Sequence, residues 1–384
     1  MRWVVFAGGV ALVALTWGSL VATFVSPRGR SLLQRGSSVV PRSVRGVLVV
    51  VARLTSSYAR KDSLLSAVGP VSLVAQLAAF LGTFVLGGAM QLLPWAGSFG
   101  LAVPQSAGAL FVVGLAHAGG STNDVIRVLV AATGTVTIAL QIGYLPVLYQ
   151  AYARREALVA LTESRAGVPA WGPEVLMRHQ LVDSLGALED LYRDWEHWSA
   201  DVAESHGTHP VLVLFRSPEA GYSWLLSLLA VLDAAALHLA LCPSSCPPEA
   251  RMCLRMGFSA LRRIATTLGW PYDRDPSPQG PIELDARSFE DAVAQLVGTG
   301  FPVERDAAAA WPHFRGWRVN YEAVAYRLAD YLVAPHAPWS GPRHHLPQDV
   351  VPPERPPHRS PDGGPVEADW LRARAAPRGP GLTR

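Results

Sequence analysis

Between Ser63 and Gln150 only two residues carry a formal charge, Asp124 and Arg127. A run this long holds more than one membrane crossing, because about 18 to 20 apolar residues already span the hydrocarbon core. Composition points the same way: of 384 residues 50% are apolar and 16% charged, where soluble domains carry roughly a quarter charged. Lys+Arg 33 against Asp+Glu 30 leaves a net charge of +3, too balanced for a nucleic-acid binder. Three cysteines are too few, and odd in number, for a disulfide-stapled domain. Lys61 is the only lysine, so basic charge means arginine.

Three spans are expected. Trp3 to Val25 has no charge inside it; a signal peptide competes as a reading, but its apolar region would be shorter. Leu64 to Leu93 and Val125 to Tyr149 are the second and third. Between them Pro94, Gly97, Gly100 and Pro104 interrupt the pattern, and Ser106 to His117 is too short to cross, which suits a re-entrant or interfacial segment. The connection 26–62 holds Arg28, Arg30, Arg35, Arg42, Arg45, Arg53, Arg60 and Lys61 against Asp62 alone, which marks it cytoplasmic by the positive-inside rule. Arg154 and Arg155 follow the third span at once and put the rest of the chain inside, so the N-terminus is outside. The short apolar stretch Val44 to Val51 is expected at the interface.

Residues 152–340 read as helical. Leu181, Leu185, Leu188, Leu191, Trp195, Trp198 and Val202 recur at three and four residues, with Pro173 and Glu174 opening that helix. Ser288 and Asp291 make a capping-box-like start before Phe289, Val293, Leu296 and Val297. The last helix carries Val319, Val324, Leu328 and Leu332, and His209 to Phe215 could be one short strand. Tyr222 to Leu241 is about long enough to cross, but Asp233 and His238 are costly at membrane depth without a partner. A buried helix of a cytoplasmic bundle is the better reading. From Gly341 the chain is rich in Pro, Arg and Gly, and is expected to be a disordered tail.

The order of parts in 64–150 is a span, an outside loop with a short apolar insertion, and another span. Ser106, Ala107, Gly108, Ala109, Leu110, Phe111, Val112, Val113, Gly114, Leu115 and Ala116 fill the insertion. This resembles the pore module of the two-transmembrane potassium-channel family, whose re-entrant pore helix leads into a T-V-G-Y-G filter. In that alignment Val113 and Gly114 match the valine and first glycine, while Val112, Leu115 and Ala116 replace the threonine, tyrosine and second glycine, a degenerate filter. The resemblance implies a pore-lining third span with Gly134 and Pro146 as hinges, a monovalent cation as the permeant species and a homo-tetramer, since one loop cannot surround an ion. Thr133, Thr135, Thr137 and Gln141 could wet such a pore or bond between helices.

His238, Cys242, Cys246 and Cys253 gather zinc-type donors within sixteen residues, with buried reduced thiols as the alternative. Trp311 to Tyr321 packs aromatic and basic residues, read as aromatic core with arginines paired to acids, or else as a lipid-headgroup surface. Glu163, Arg165, Pro169, Trp171 and Gly172 are expected to couple the membrane and cytoplasmic parts. His197, His206 and His209 lie among acids on what reads as a solvated helix face. No Gly-rich phosphate loop ending in Lys-Ser/Thr, H-E-x-x-H or G-x-S-x-G occurs, so neither an enzyme nor a cofactor is expected.

The expectation is an all-α integral membrane protein of three transmembrane helices with a re-entrant pore-loop-like segment and a cytoplasmic helical domain. Its parts are a membrane helix (1–25), a basic connection (26–63), a pore-like module (64–150), the helical domain (151–340) and a tail (341–384). The alternative function is a non-conducting membrane-anchored scaffold.

Overall fold

The computed structural model describes residues 1–24, 39–113 and 122–353. The described residues are helical and contain no β-strand. The helices are α1 (Arg2–Phe24), α2 (Val39–Ala52), α3 (Tyr58–Ser66), α4 (Val68–Ala96), α5 (Phe99–Leu110), α6 (Thr122–Ala166), α7 (Gly172–Leu181), α8 (Leu188–Thr208), α9 (Trp224–Leu241), α10 (Glu249–Leu268), α11 (Ala286–Gly298), α12 (Ala307–Arg318) and α13 (Glu322–Leu332). Two compact units divide the chain: 1–157 with 201–220 and 263–271, and 158–200 with 221–262 and 272–384.

In the first unit α1 and α2 both pack on α4. Backbones approach closely where small residues meet: a methyl on Gly9 would lie 2.7 Å from the carbonyl oxygen of Gly87. Apolar helices gain nothing from hydrophobic exclusion in lipid, so such close van der Waals packing is what holds them together there. Leu20, Phe80, Phe84, Leu92, Leu110 and Val130 form one core drawn from α1, α4, α5 and α6. The outward faces stay apolar: Val4 is 75% exposed, Val74 68% and Ile142 63%.

Pro94 and Pro104 do not break helices as expected; each lies inside one. The break falls between them, where Gly97 takes φ +81, a left-handed conformation that costs a Cβ-bearing residue and not glycine. Ser98 then caps α5 by accepting from the Leu101 N–H at 3.3 Å. The short apolar helix consequently starts at Phe99 and ends at Leu110, earlier than the 106–117 of the sequence pattern.

In the second unit α9 is the centre. All its residues are buried, and it packs on α7, α12 and α13. The expected helix from Pro173 to Val202 is two helices, α7 and α8, because Asp183 adopts φ +51 and ends the first. Asp285, not Ser288, caps α11, accepting from the Ser288 N–H at 2.8 Å. Val319 lies in the joint between α12 and α13. The expected tail is packed at its start: Arg343 is buried and donates to the Ala334 carbonyl at 2.7 Å and the Pro335 carbonyl at 2.6 Å. Residues 354–384 lie outside the described ones.

His209 to Phe215 is not a strand in the first unit; Pro210–Leu214 is a 3-10 helix. Its backbone bonds are local, Leu212 N–H to the His209 carbonyl at 3.0 Å and Phe215 N–H to the Leu212 carbonyl at 3.1 Å. Apolar alternation here reflects burial of Val211, Leu212, Val213 and Leu214 together, not a pleat.

Candidate functional site

The arrangement of α4, α5 and α6 carries the functional question. Ser106 on α5 donates to the Val85 carbonyl on α4 at 2.8 Å, although 21 residues separate them, so α5 runs back antiparallel along α4. Twelve residues at 1.5 Å each carry it about 18 Å, a little over half the ~30 Å hydrocarbon thickness. Its last residue meets α6: a methyl on Gly134 would fall deep inside the van der Waals radius of the Leu110 carbonyl oxygen. Gly134, expected as a hinge, is thus the position that lets α6 approach the end of α5. Pro146 lies inside the continuous α6.

Of the filter candidates, Val112 and Val113 follow α5 in a turn and are 55% and 68% exposed. The Val113 N–H returns to the Gly108 carbonyl at 2.7 Å, and Val112 sits at φ +62, a conformation β-branched residues resist. Gly114, Leu115 and Ala116 lie outside the described residues. Along α6, Thr133 accepts from the Trp17 indole at 3.4 Å, Thr137 bonds its own helix at the Thr133 carbonyl, and Gln141 is buried with its Oε1 unpartnered.

One end of this unit is closed by a polar collar. Asp62 on α3 accepts from Arg216 Nε at 2.8 Å, and the same guanidinium donates to the Tyr58 hydroxyl at 3.0 Å. Arg155 on α6 is fully buried. It donates to Glu156 at 2.8 Å, to the Leu212 and Phe215 carbonyls at 3.0 and 2.7 Å, and to His206 Nε2 at 3.1 Å. Tyr144 meets His209 Nδ1 at 3.1 Å. His206 therefore is core, not solvated face, and burial beside Arg155 pushes its imidazole well below its ordinary range.

The collar was invisible in the sequence pattern. Arg155 there counted only toward topology, and Asp62 only as the lone acid among cations. The usable signal for Asp62 was that isolation: a single carboxylate in a basic stretch needs a specific cation.

In the second unit Arg318 is fully buried and donates to Asp233 at 2.5 Å, Glu322 at 2.8 Å and the Tyr326 hydroxyl at 2.7 Å; Tyr321 donates to Asp233 at 2.8 Å. The partner Asp233 requires is here, and the 311–321 segment supplies core and paired arginine. Glu163 and Gly172 brace α7: Arg178 donates to the Glu163 carbonyl at 3.0 Å, and Gly172 lies against Asp233 Cβ; the Trp171 ring meets Trp339 edge-on.

His238 bonds Tyr192 at 3.2 Å and Cys242 donates to the Pro302 carbonyl at 2.8 Å. Burial pushes the thiols of Cys242 and Cys246 up to about 11 and about 12, raises Cys253 too, and lowers His238 to about 4. At neutral pH these are protonated thiols and a neutral imidazole. Among the described residues no group of three or more His, Cys, Asp or Glu side chains is placed to hold a metal ion.

Four described helices are long and apolar enough to cross a membrane: Arg2–Phe24, Tyr58–Ala96, Asn123–Ala166 and Trp224–Leu241. The most apolar stretch is 17%, 39% and 33% buried in the first three and 100% in the last. The structure thus defines an all-helical protein whose apolar helices are compatible with a multi-pass membrane protein. No family model, curated protein or solved structure matches the chain.

Proposed function

We propose that the chain is a multi-pass membrane protein in which α1, α4 and the first part of α6 span, α5 is a re-entrant helix between α4 and α6, α2 and α3 belong to the basic cytoplasmic connection, and the helices after α6 form a cytoplasmic domain. In this reading α4, α5 and α6 are a pore-loop-like module of the channel type, assembled as a homo-oligomer, a tetramer by the resemblance, around a path for a monovalent cation. The observation that carries it is the half-depth return of α5 along α4 to the first part of α6 at Gly134. The graded burial of the four apolar helices supports three spans, with α9 as a core helix outside the bilayer. The collar on 201–220 grips α3 and α6 and is the lever through which a cytoplasmic domain would act on them. The test is current through planar bilayers holding the purified chain. Cation current that G114V abolishes is expected; silence across voltages and cations removes the channel reading.

A second reading, a non-conducting scaffold on the same membrane frame, is favoured by one observation. The turn after α5 is built on Val112 and Val113 and folds back on its own helix through the Val113 N–H to the Gly108 carbonyl, whereas an extended ladder of carbonyls is what strips water from an ion. A monomer in detergent would decide for it.

A further inference from the structure

Beyond its packing on α4, helix α2 with the turn after it presents exposed apolar and exposed basic side chains. Val49 and Ala52, three apart, are its buried residues, on the helix that packs against α4. Val47, Val50, Val51 and Leu54 follow at i, i+3, i+4 and i+7, one stripe, and are 63%, 60%, 39% and 86% exposed. Arg42 on α2 and Arg53, just past its end with its N–H still on the Val49 carbonyl, are both exposed and eleven residues apart, about three turns, so they line up on one edge between the buried face and the apolar stripe that Leu54 continues into the turn. Arg60, also exposed, and Lys61 extend the charge onto α3. The one carboxylate on these two helices, Asp62, is buried and already held by Arg216. Among the described residues Arg42, Arg53 and Arg60 have no acidic partner.

We propose that α2 and the start of α3 form a docking surface for anionic phospholipid headgroups, with Val47, Val50, Val51 and Leu54 in the acyl boundary and Arg42, Arg53 and Arg60 on the phosphates. The inference rests on the membrane reading above. A bilayer is the partner because it alone is layered as this surface is, apolar beside anionic. A nucleic acid would satisfy the arginines and leave the valine stripe in water.

The full chain is exchanged into nanodiscs of equal phosphatidylcholine and phosphatidylglycerol, and the lipids it retains on extraction are counted by native mass spectrometry. The wild type should keep phosphatidylglycerol preferentially, and R42Q/R53Q/R60Q should lower that preference by about tenfold or more with helicity unchanged by circular dichroism. R251Q/R255Q/R287Q, which removes equal charge at exposed positions on α10 and α11, should leave it intact, and rising salt should weaken it. Equal retention of both lipids by the wild type, or the same preference in both triple variants, overturns the proposal. Release of the wild type from membranes by an alkaline carbonate wash would instead overturn the membrane reading beneath it.

Discussion

Arg155 Nη1 donates to His206 Nε2 across 3.1 Å, with both side chains wholly buried. Because a guanidinium only donates, Nε2 holds the lone pair, and the ring proton sits on Nδ1, facing the Val202 carbonyl and Ser205 Oγ. Protonating His206 would set two cations together in the core.

The first prediction follows from that sign. The folded pKa of His206 lies below its ordinary 6.5, so its contribution to stability is complete above that value and is lost as pH falls below it. The slope is at most about 1.4 kcal/mol per pH unit. His238, lowered to about 4, adds to the same decline. Thermal melts of the detergent-solubilised chain from pH 7.5 downward should show it, and H206Q, which can still accept from Arg155 but takes no proton, should decline less steeply. Parallel curves would clear His206 of the role.

Gly134 gives a contrast within one helix. A methyl there collides with the Leu110 carbonyl oxygen, whereas one on Gly143 meets nothing within 4 Å. G134A should cost about 1–3 kcal/mol, seen as a lower melting temperature, and G143A should be near neutral. If G134A melts like the wild type, α5 is not held against α6 at this point.

Removing Arg318 leaves Asp233 and Glu322 buried together without their shared counter-cation, held only by the Tyr321 hydroxyl and the Glu283 and Leu284 N–H groups. R318M should destabilise the chain by about 3–5 kcal/mol. D233N/R318M should recover part of that loss, since one carboxylate is neutralised. Chemical denaturation of the full chain measures both, and a double variant no better than the single one would exclude charge burial as the cause.

Topology is tested at Ser57 and Ser98, both exposed and on opposite sides of the Tyr58–Ala96 stretch. In a background with Cys242, Cys246 and Cys253 replaced, a cysteine at Ser98 should react with an impermeant maleimide on intact cells and one at Ser57 only after lysis. The reverse pattern inverts the protein in the membrane.

The apolar helices were legible because they are local: absence of charge over twenty residues marks α1 whatever it packs against, and the expected Trp3–Val25 differs from Arg2–Phe24 by one residue at each end. Punctuation misled where glycine and proline act differently. Gly97 ends a helix through its backbone sign, while Pro104 merely drops one donor in an apolar helix that packing sustains. The candidate site was legible only as an order of segments. That α5 folds back onto Val85, or that His206 meets Arg155 51 residues away, depends on tertiary approach, which spacing in one chain does not encode. For the same reason His206 reads as a wet face and His209 to Phe215 as a strand.

The bond between Arg216 and Asp62 has a bearing on physiology that reaches past its two partners. With its single carboxylate held by Arg216, the segment 39–66 keeps its remaining charge as guanidiniums save for Lys61. The hold of that charge on a leaflet would then be set by the ions crowding the solution and by the leaflet's own share of negative lipids.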